Sequence, residues 1–278
     1  CRRYFDYVDE VWVPSDFCRD AVARAAPVPV RSMRQALAPV QVPSPVRRAD
    51  LGLPDSAFVF LFVFDVQSLV ARKNPFGLIR AFREAIGPGD DAVLVLKLMN
   101  ATSRLVRELS DAAGSHRLIV IDRLMDRATL HGLFDACDCY VSLHRAEGFG
   151  LTLAEAMARG KPVIATGYSG NMEFMTSGSS YAVRFGLTTL DRDIDPFVRG
   201  SVWAEPDIGH AAALMRQVLT DRAGASAVGA RGRAEITSRL SPEAIGASMR
   251  ARLAEIDARL ASDEDLRRRW AERDAQLG

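Results

Sequence analysis

An α/β fold built on a parallel sheet, with helices on both faces and a helical C-terminal tail, is predicted by three features of this sequence. From Ala57 onward, short and nearly continuous apolar runs alternate with segments of helical length. Strands that are buried on both faces have this composition, and strand–helix alternation makes neighbouring strands parallel. After Pro206 the pattern is mostly helical to the end.

The elements follow in order. Glu10-Val-Trp-Val-Pro14 is a short strand, and Ser15 and Asp16 cap a helix that runs to about Ala25. Between Pro27 and Pro54 stand six prolines and little helical periodicity, with an extended Pro39-Val-Gln-Val-Pro43. That stretch is a linker with a short edge strand. Strands are expected at Phe58–Phe64, Ala92–Leu98, Leu118–Ile121, Cys139–Leu143, Pro162–Ala165 and Ser180–Val183. Helices are expected between them at about Pro75–Ile86, Thr102–Ala113, Arg127–Ala136, Leu151–Ala158 and Gly170–Met175. The helical remainder breaks near Ala223 and at Ser241-Pro242. Its last, highly charged stretch from Asp263 is anchored by Leu266, Trp270 and Leu277. It is a solvated terminal helix or one that docks on a further domain.

Composition removes several classes of function. The 278 residues have ample capacity for a core, and a net charge of +1 gives no global field that attracts nucleic acid. The cysteines Cys1, Cys18, Cys137 and Cys139 form neither a CxxC pair nor a zinc spacing. Cys137 and Cys139 alternate with Asp138 and Tyr140 at a strand start and are expected as buried thiols, which fits a reducing cytoplasm. No window approaches eighteen uncharged apolar residues and no signal peptide opens the chain. The start at Cys1-Arg-Arg without Met suggests a piece of something longer.

The most informative stretch is Glu147-Gly-Phe-Gly-Leu-Thr-Leu-Ala-Glu155. An apolar strand runs into it and a helix runs out, so it lies at the carboxyl end of a strand, where open α/β sheets bind ligands. Its glycines allow backbone to approach a ligand, and the helix after it begins with unpaired N–H groups that favour phosphate. Both carboxylates can face one cleft as acceptors for sugar hydroxyls. The plainer alternative is a glycine-rich connection with two solvated glutamates. Earlier in the chain, Lys73 precedes Asn74-Pro75 at a strand-to-helix turn, with Pro suited to a helix start. It suits a phosphate-binding cation; a solvated helix start is a plausible alternative for Arg72 and less so for Lys73.

Taken jointly, these motifs resemble the retaining GT-B glycosyltransferases of family 4. Glu147 to Glu155 matches their E-x7-E motif, and Ala71-Arg-Lys-Asn-Pro75 is similar to their phosphate-binding segment. Gly160-Lys-Pro-Val-Ile-Ala165 and Gly167-Tyr-Ser-Gly-Asn171 resemble the next strand and its loop. Val11-Trp-Val-Pro-Ser-Asp-Phe17 resembles the segment that closes the family's N-terminal domain. The likeness spans about residues 8 to 240.

The resemblance implies a Rossmann-like, C-terminal half of a GT-B fold. Residues 1–54 would be the end of the N-terminal domain and a linker, 55–240 the nucleotide-sugar domain, and 241–278 C-terminal helices. It implies a hexosyltransferase whose other, acceptor-binding domain lies outside this sequence, so that the chain alone transfers sugar poorly. Lys73 and Arg72 would hold the diphosphate, Glu155 the ribose and Glu147 the transferred sugar. The backbone of Gly148, Phe149, Gly150 and Leu151 would line sugar and diphosphate, with the Thr152 hydroxyl near a phosphate. Gln67 stands where many relatives carry an Arg, so one diphosphate cation is absent there or replaced, and Asp65 and Ser68 become candidate contacts. Arg123 and Leu124, in Asp122-Arg-Leu-Met-Asp126, would lie beside the base, although a plain loop with Asp126 as helix cap explains that segment equally well.

His144 and Arg145 stand beside Glu147 as candidate donor contacts, and Asn171 as a weaker one; Met172, Phe174 and Met175 suit helix core or cleft wall. His116 and His131 are expected at the surface. No metal and no cofactor are expected, since Lys73, Arg72 and the amides of Phe149 to Leu151 can carry the charge. No Asp-x-Asp triplet is expected in a loop after a strand, which leaves a metal-dependent GT-A reading without its usual ligand pair. The donor implied is GDP-mannose first and a UDP-sugar second. The acceptor is a glycan or lipid-linked sugar of bacterial surface-polysaccharide synthesis, at the cytoplasmic face of a membrane reached through the part not present. The alternatives are a non-catalytic nucleotide-sugar-binding or scaffolding module, and a GT-B epimerase or phosphorylase.

Overall fold

The computed structural model describes residues 2–38 and 46–277. The extended segment expected at Pro39–Pro43, Cys1 and the Leu277 side chain lie outside what is described. Internal contacts divide the chain into two units, one of Cys1–Ala38 with Ser238–Gly278 and one of Pro39–Thr237.

The first unit starts with β1 (Val11–Val13), α1 (Asp16–Ala23) and β2 (Val30–Ser32). Ser15 caps α1, its hydroxyl accepting from the Cys18 amide at 3.1 Å. β1 and β2 pair in parallel, so the proline-rich stretch supplies a strand earlier than the one expected. Within this unit Glu10 accepts from Arg31, Trp12 and Arg252, the last on the long C-terminal helix α9 described below.

The second unit carries the sheet. Its elements are β3 (Phe58–Asp65), α2 (Val70–Lys73), α3 (Pro75–Ala85), β4 (Ala92–Met99), α4 (Ser103–Ala113) and β5 (Leu118–Asp122). They continue with α5 (Arg127–Ala136), β6 (Cys139–Ser142), α6 (Leu151–Ala158), β7 (Val163–Thr166) and β8 (Tyr181–Val183). The sheet order is β5-β4-β3-β6-β7-β8, parallel at every pairing. Phe58 to Phe62 and Val93 to Leu96 are buried, so the central strands are covered on both faces, as their unbroken apolar sequence demands. α3 packs with α4 and α7 (Ile208–Thr220), while α5 meets the end of α6 through Arg159 and Asp135 at 3.1 Å. This is the α/β architecture expected.

A two-stranded antiparallel hairpin, β9 (Phe185–Thr189) with β10 (Val202–Pro206), was not expected. Trp203 anchors it, buried and edge-on to Phe197, whereas the whole of β9 is exposed. The helix expected at Gly170–Met175 is a single 3-10 turn, Gly170–Glu173. The helical tail is α8 (Arg222–Arg239), α9 (Pro242–Ser262) and α10 (Glu264–Leu277). Its breaks fall at Asp221, before Ser241 and at Asp263; Asp221 lies two residues ahead of the expected Ala223. Among the described residues no helix is long and apolar enough to cross a membrane.

Cys137 and Cys139 are buried and free, and burial pushes the Cys137 thiol up to about 12. His131 corrects its expectation. It is buried on α5 beside Leu133 and Phe134, accepts from Arg127, and has its pKa lowered, first by burial. His116 is half-buried and meets the Ile86 carbonyl at 3.1 Å.

Candidate functional site

The sheet order reverses between β3 and β6. Outward connections on either side of such a point leave a crevice at the carboxyl ends of the strands. Lys73 follows β3 and Glu147 follows β6, so both borders of that crevice carry a charged group from the expected set.

On the β3 side, the Asp65 carboxylate accepts from the Gln67 amide and from Asn100, each at 2.9 Å, tying the end of β3 to the end of β4. Leu69, at φ +73°, turns the chain into α2. There Arg72 donates to the carbonyls of Ser68 at 3.0 Å and Ala146 at 2.7 Å, and a guanidinium nitrogen lies 3.2 Å from Glu147. The Lys73 ammonium donates to the same Glu147 oxygen. Asn74, left-handed at φ +56°, caps α3 through its carbonyl oxygen and donates its amide to Leu143 O at 2.9 Å.

On the β6 side, the Arg145 amide donates to Arg72 O at 2.8 Å, so the two strand ends are joined through backbone. The turn carrying Glu147 is also sewn to the loop after β7. The Glu147 amide donates to Ser169 Oγ at 2.8 Å, and the Gly170 amide donates to Glu147 O at 2.9 Å. A Cβ on Gly170 would stand 2.0 Å from Gly148 O, so only glycine lets these backbones meet. Gly150, at φ +89°, then starts α6, whose first amides precede any intrahelical acceptor.

The two glutamates occupy opposite electrostatic surroundings. Burial opposes the charge of Glu147, but Lys73, His144 and Arg72 outweigh it and hold its carboxyl below the ordinary value. Glu155 is half-buried, and desolvation raises its carboxyl despite Arg159 and Arg127. Among the described residues, no donor reaches the Glu155 carboxylate. It is a carboxylate without a protein donor among those residues, in a position where partial burial penalises ionisation.

The structure thus brings together Arg72, Lys73, Glu147 and the turn Gly148–Leu151. Others of the expected set are placed differently. The Thr152 hydroxyl bonds to the Tyr140 hydroxyl at 2.8 Å, directed at β6. Gln67 is exposed, and Ser68 lends its carbonyl to Arg72. Arg123 and Leu124 lie in an exposed loop, Leu124 at 85% exposure, and Asp126 caps α5 from the Thr129 amide at 2.7 Å.

His144 and Asn171, read as donor contacts, are instead fully buried. The His144 ring joins Ser142 Oγ to Asn171 Oδ1, each at 3.0 Å, which assigns the proton to Nε2. Asn171 also donates to Thr166 O at 2.9 Å. Arg145 is spent on Ala71 O and Glu205. Phe174 and Met175 are core, and Met172 is exposed. An Asp-x-Asp triplet, Asp191 to Asp193, does follow a strand, the unforeseen β9; there Asp193 accepts from the Arg199 amide at 2.6 Å. Among the described residues no cluster of three or more His, Cys, Asp or Glu could hold a metal ion. Sequence reasoning missed Ser169, whose only signal was its place beside Gly170 in the loop after β7.

A parallel sheet with charged groups and an open-backbone turn at the point of strand-order reversal defines an α/β domain with a candidate ligand crevice at that reversal. The profile of the family Glycosyl transferases group 1 matches residues 45–235, and the chain belongs to that family. It is 30% identical over 184 residues to the D-inositol 3-phosphate glycosyltransferase of Arthrobacter sp. (strain FB24), covering 62% of this chain and 42% of that protein. It is 32% identical over 119 residues to the lipopolysaccharide core biosynthesis mannosyltransferase LpsB of Rhizobium meliloti (strain 1021), covering 43% of this chain and 30% of that one. The matched region thus spans less than half of each of these relatives. The crystal structure of Anabaena Alr3699/HepE in complex with UDP and glucose superposes with a TM-score of 0.67 at 19% identity, over 89% of this chain and 64% of that one. That likeness establishes the shared fold.

Proposed function

We propose that this chain is the donor-binding part of a retaining GT-B glycosyltransferase of family 4. It would act with a further, acceptor-binding domain to move a hexose from a nucleoside diphosphate sugar to a glycan or lipid-linked acceptor in bacterial surface-polysaccharide synthesis. The observation that carries the reading is the convergence of Lys73, Arg72 and Glu147 on one crevice, beside backbone amides at the start of α6.

Breaking the anomeric C–O bond leaves negative charge on the diphosphate and an oxocarbenium-like carbon, and groups that answer this charge accelerate the step. Lys73 is the point-charge cation for the diphosphate. Arg72, anchored by two carbonyls, is a fixed charge behind it. The amides of Phe149 to Leu151 face the same charge, and Glu147 accepts from the hydroxyls of the transferred sugar. The unpartnered Glu155 accepts from the ribose, whose two hydroxyls supply the donors it lacks. The leaving diphosphate takes the acceptor's proton, which fits transfer with retention. GDP-mannose is the first candidate donor, in line with LpsB being a mannosyltransferase, and a UDP-sugar the second, in line with the UDP and glucose in the HepE complex. The reaction would take place at the cytoplasmic side of the membrane.

Calorimetric titration of the chain with GDP, UDP and ADP tests the reading. Saturable binding of one of them is expected, with affinity lost in Lys73→Ala and Glu155→Ala and kept in His116→Ala. Absence of binding by all three sinks it.

A further inference from the structure

The cation pair that this reading offers to a diphosphate already holds an anion of the protein's own. Lys73 has one side-chain partner among the described residues, and that partner is Glu147. The same carboxylate oxygen lies 3.2 Å from Arg72, and both side chains of the Lys73–Glu147 pair are only 13% exposed. At that exposure solvent screens the pair only weakly, so the attraction is strong, and an incoming phosphate competes with it directly.

The backbone of Glu147 is not free to leave with its carboxylate. Its amide is fixed by Ser169 Oγ and its carbonyl by the Gly170 amide. Ser169 holds φ +79°, a conformation that costs a residue with a Cβ, and Asn171 beside it is locked by His144 and Thr166. Side-chain torsions are what remains to Glu147. Its carboxylate can turn from the cations while its Cα stays at the crevice.

We infer, building on the donor-site reading, that Glu147 is a specificity-determining resident counter-anion, displaced from Lys73 and Arg72 by the donor diphosphate and then taken up by the hydroxyls of the transferred sugar. A nucleoside diphosphate that carries no sugar evicts the carboxylate and leaves it without a partner. A nucleotide-sugar evicts it and supplies donors in the same event. The exchange therefore favours substrate over the diphosphate product and helps the spent product to leave, since Glu147 competes to return.

The test is calorimetry on this chain and on Glu147→Gln, with GDP, GDP-mannose, UDP and UDP-glucose as probes, and melting profiles to show that the variant is folded. Gln keeps the shape and removes the charge. Glu147→Gln is expected to bind GDP or UDP about tenfold more tightly than the wild type, the scale of one charge-assisted contact released. The ratio of diphosphate to diphosphate-sugar dissociation constants is expected to fall by about the same factor. Glu147→Ala is expected to tighten diphosphate binding as well, independently of any hydrogen bond made by Gln. Diphosphate affinity that is unchanged or weaker in both variants overturns the inference while leaving the donor site standing. Absence of all binding, in wild type and variants alike, removes the donor site itself and the inference with it.

Discussion

Arg145 grips the Glu205 carboxylate with two parallel hydrogen bonds, Nε at 2.6 Å and Nη2 at 2.8 Å, and so ties the hairpin β9–β10 to the strand end that leads to Glu147. The same guanidinium donates to Ala71 O at 2.6 Å, one residue before Arg72. Glu205 is half exposed, so the ion pair itself stabilises little, on the order of 0.5 kcal/mol. Arg145→Ala also releases the Ala71 carbonyl. It should weaken nucleoside diphosphate binding several-fold more than Glu205→Gln does. Calorimetry on the two variants decides, and equal effects would place the role of Arg145 in the hairpin alone.

Asn74 holds three features at once: the left-handed backbone, the cap of α3 and the bond to Leu143 O. Asn74→Ala removes the cap and leaves a buried carbonyl unpaired, at a cost of about 2 kcal/mol. Asn74→Asp keeps the cap oxygen and still loses the donor to Leu143. The expected stability order in denaturant melts is wild type, then Asp, then Ala.

Glu155 predicts a trade between stability and binding. Its carboxyl is raised in the fold, so the charged form is disfavoured there and folding is penalised at neutral pH. Glu155→Gln removes the penalty. The variant should melt higher than the wild type at neutral pH while binding the nucleoside diphosphate more weakly. A lower melting temperature would show that the carboxylate has a stabilising partner.

Glu10 predicts the acid limb of the first unit. Burial works against its charge, but Arg252, Trp12 and Arg31 bring its carboxyl from an ordinary 4.5 down to about 2. A depressed acid stabilises the fold fully above the unfolded value and stops doing so as pH falls through the folded one. The contribution is at most about 3 kcal/mol, less what solvent screening removes. Wild type should therefore exceed Glu10→Gln in stability above pH 4.5, with the gap closing toward pH 2. A gap that stays constant on acidification would refute this account.

Gly170→Ala should be the most damaging small change near the site. Its new Cβ meets the Gly148 carbonyl at 2.0 Å, and backbone on both sides has little room to yield. A loss of about 2 kcal/mol or more is expected, together with loss of diphosphate binding. Gly186→Ala, which meets nothing within 4 Å, is the matched control and should be near neutral.

The sheet was legible because its strands are apolar on both faces, and Phe58–Phe62 leaves no other reading. Lys73 and Glu147 were legible as members of one site because each stands just past a strand, where side chains escape the core. The hairpin escaped notice because the Phe185–Thr189 run has no burial pattern of its own and gains order only by pairing across a thirteen-residue span to Trp203. His144 and Asn171 were misplaced for a related reason. Their polarity suggested contact with ligand, yet each satisfies the other, and no local pattern records a partner 27 positions away. Arg72 illustrates a third case: two backbone carbonyls that hold it are invisible as side-chain chemistry.

The strand order has a consequence for how the site comes into being. β3 emerges from synthesis before every other strand of its sheet, yet lies in the middle of it, between β4 and β6. Its second edge waits until β6, with Phe60 meeting Cys139 across 79 intervening steps of chain. Closing so long a loop carries an entropic cost that local helices do not repay, and such pairings form late. Lys73 and Glu147 flank that late-closing seam. Until β3 and β6 pair, the cations and the glutamate lie on separate pieces of chain, so their meeting depends on that one central pairing.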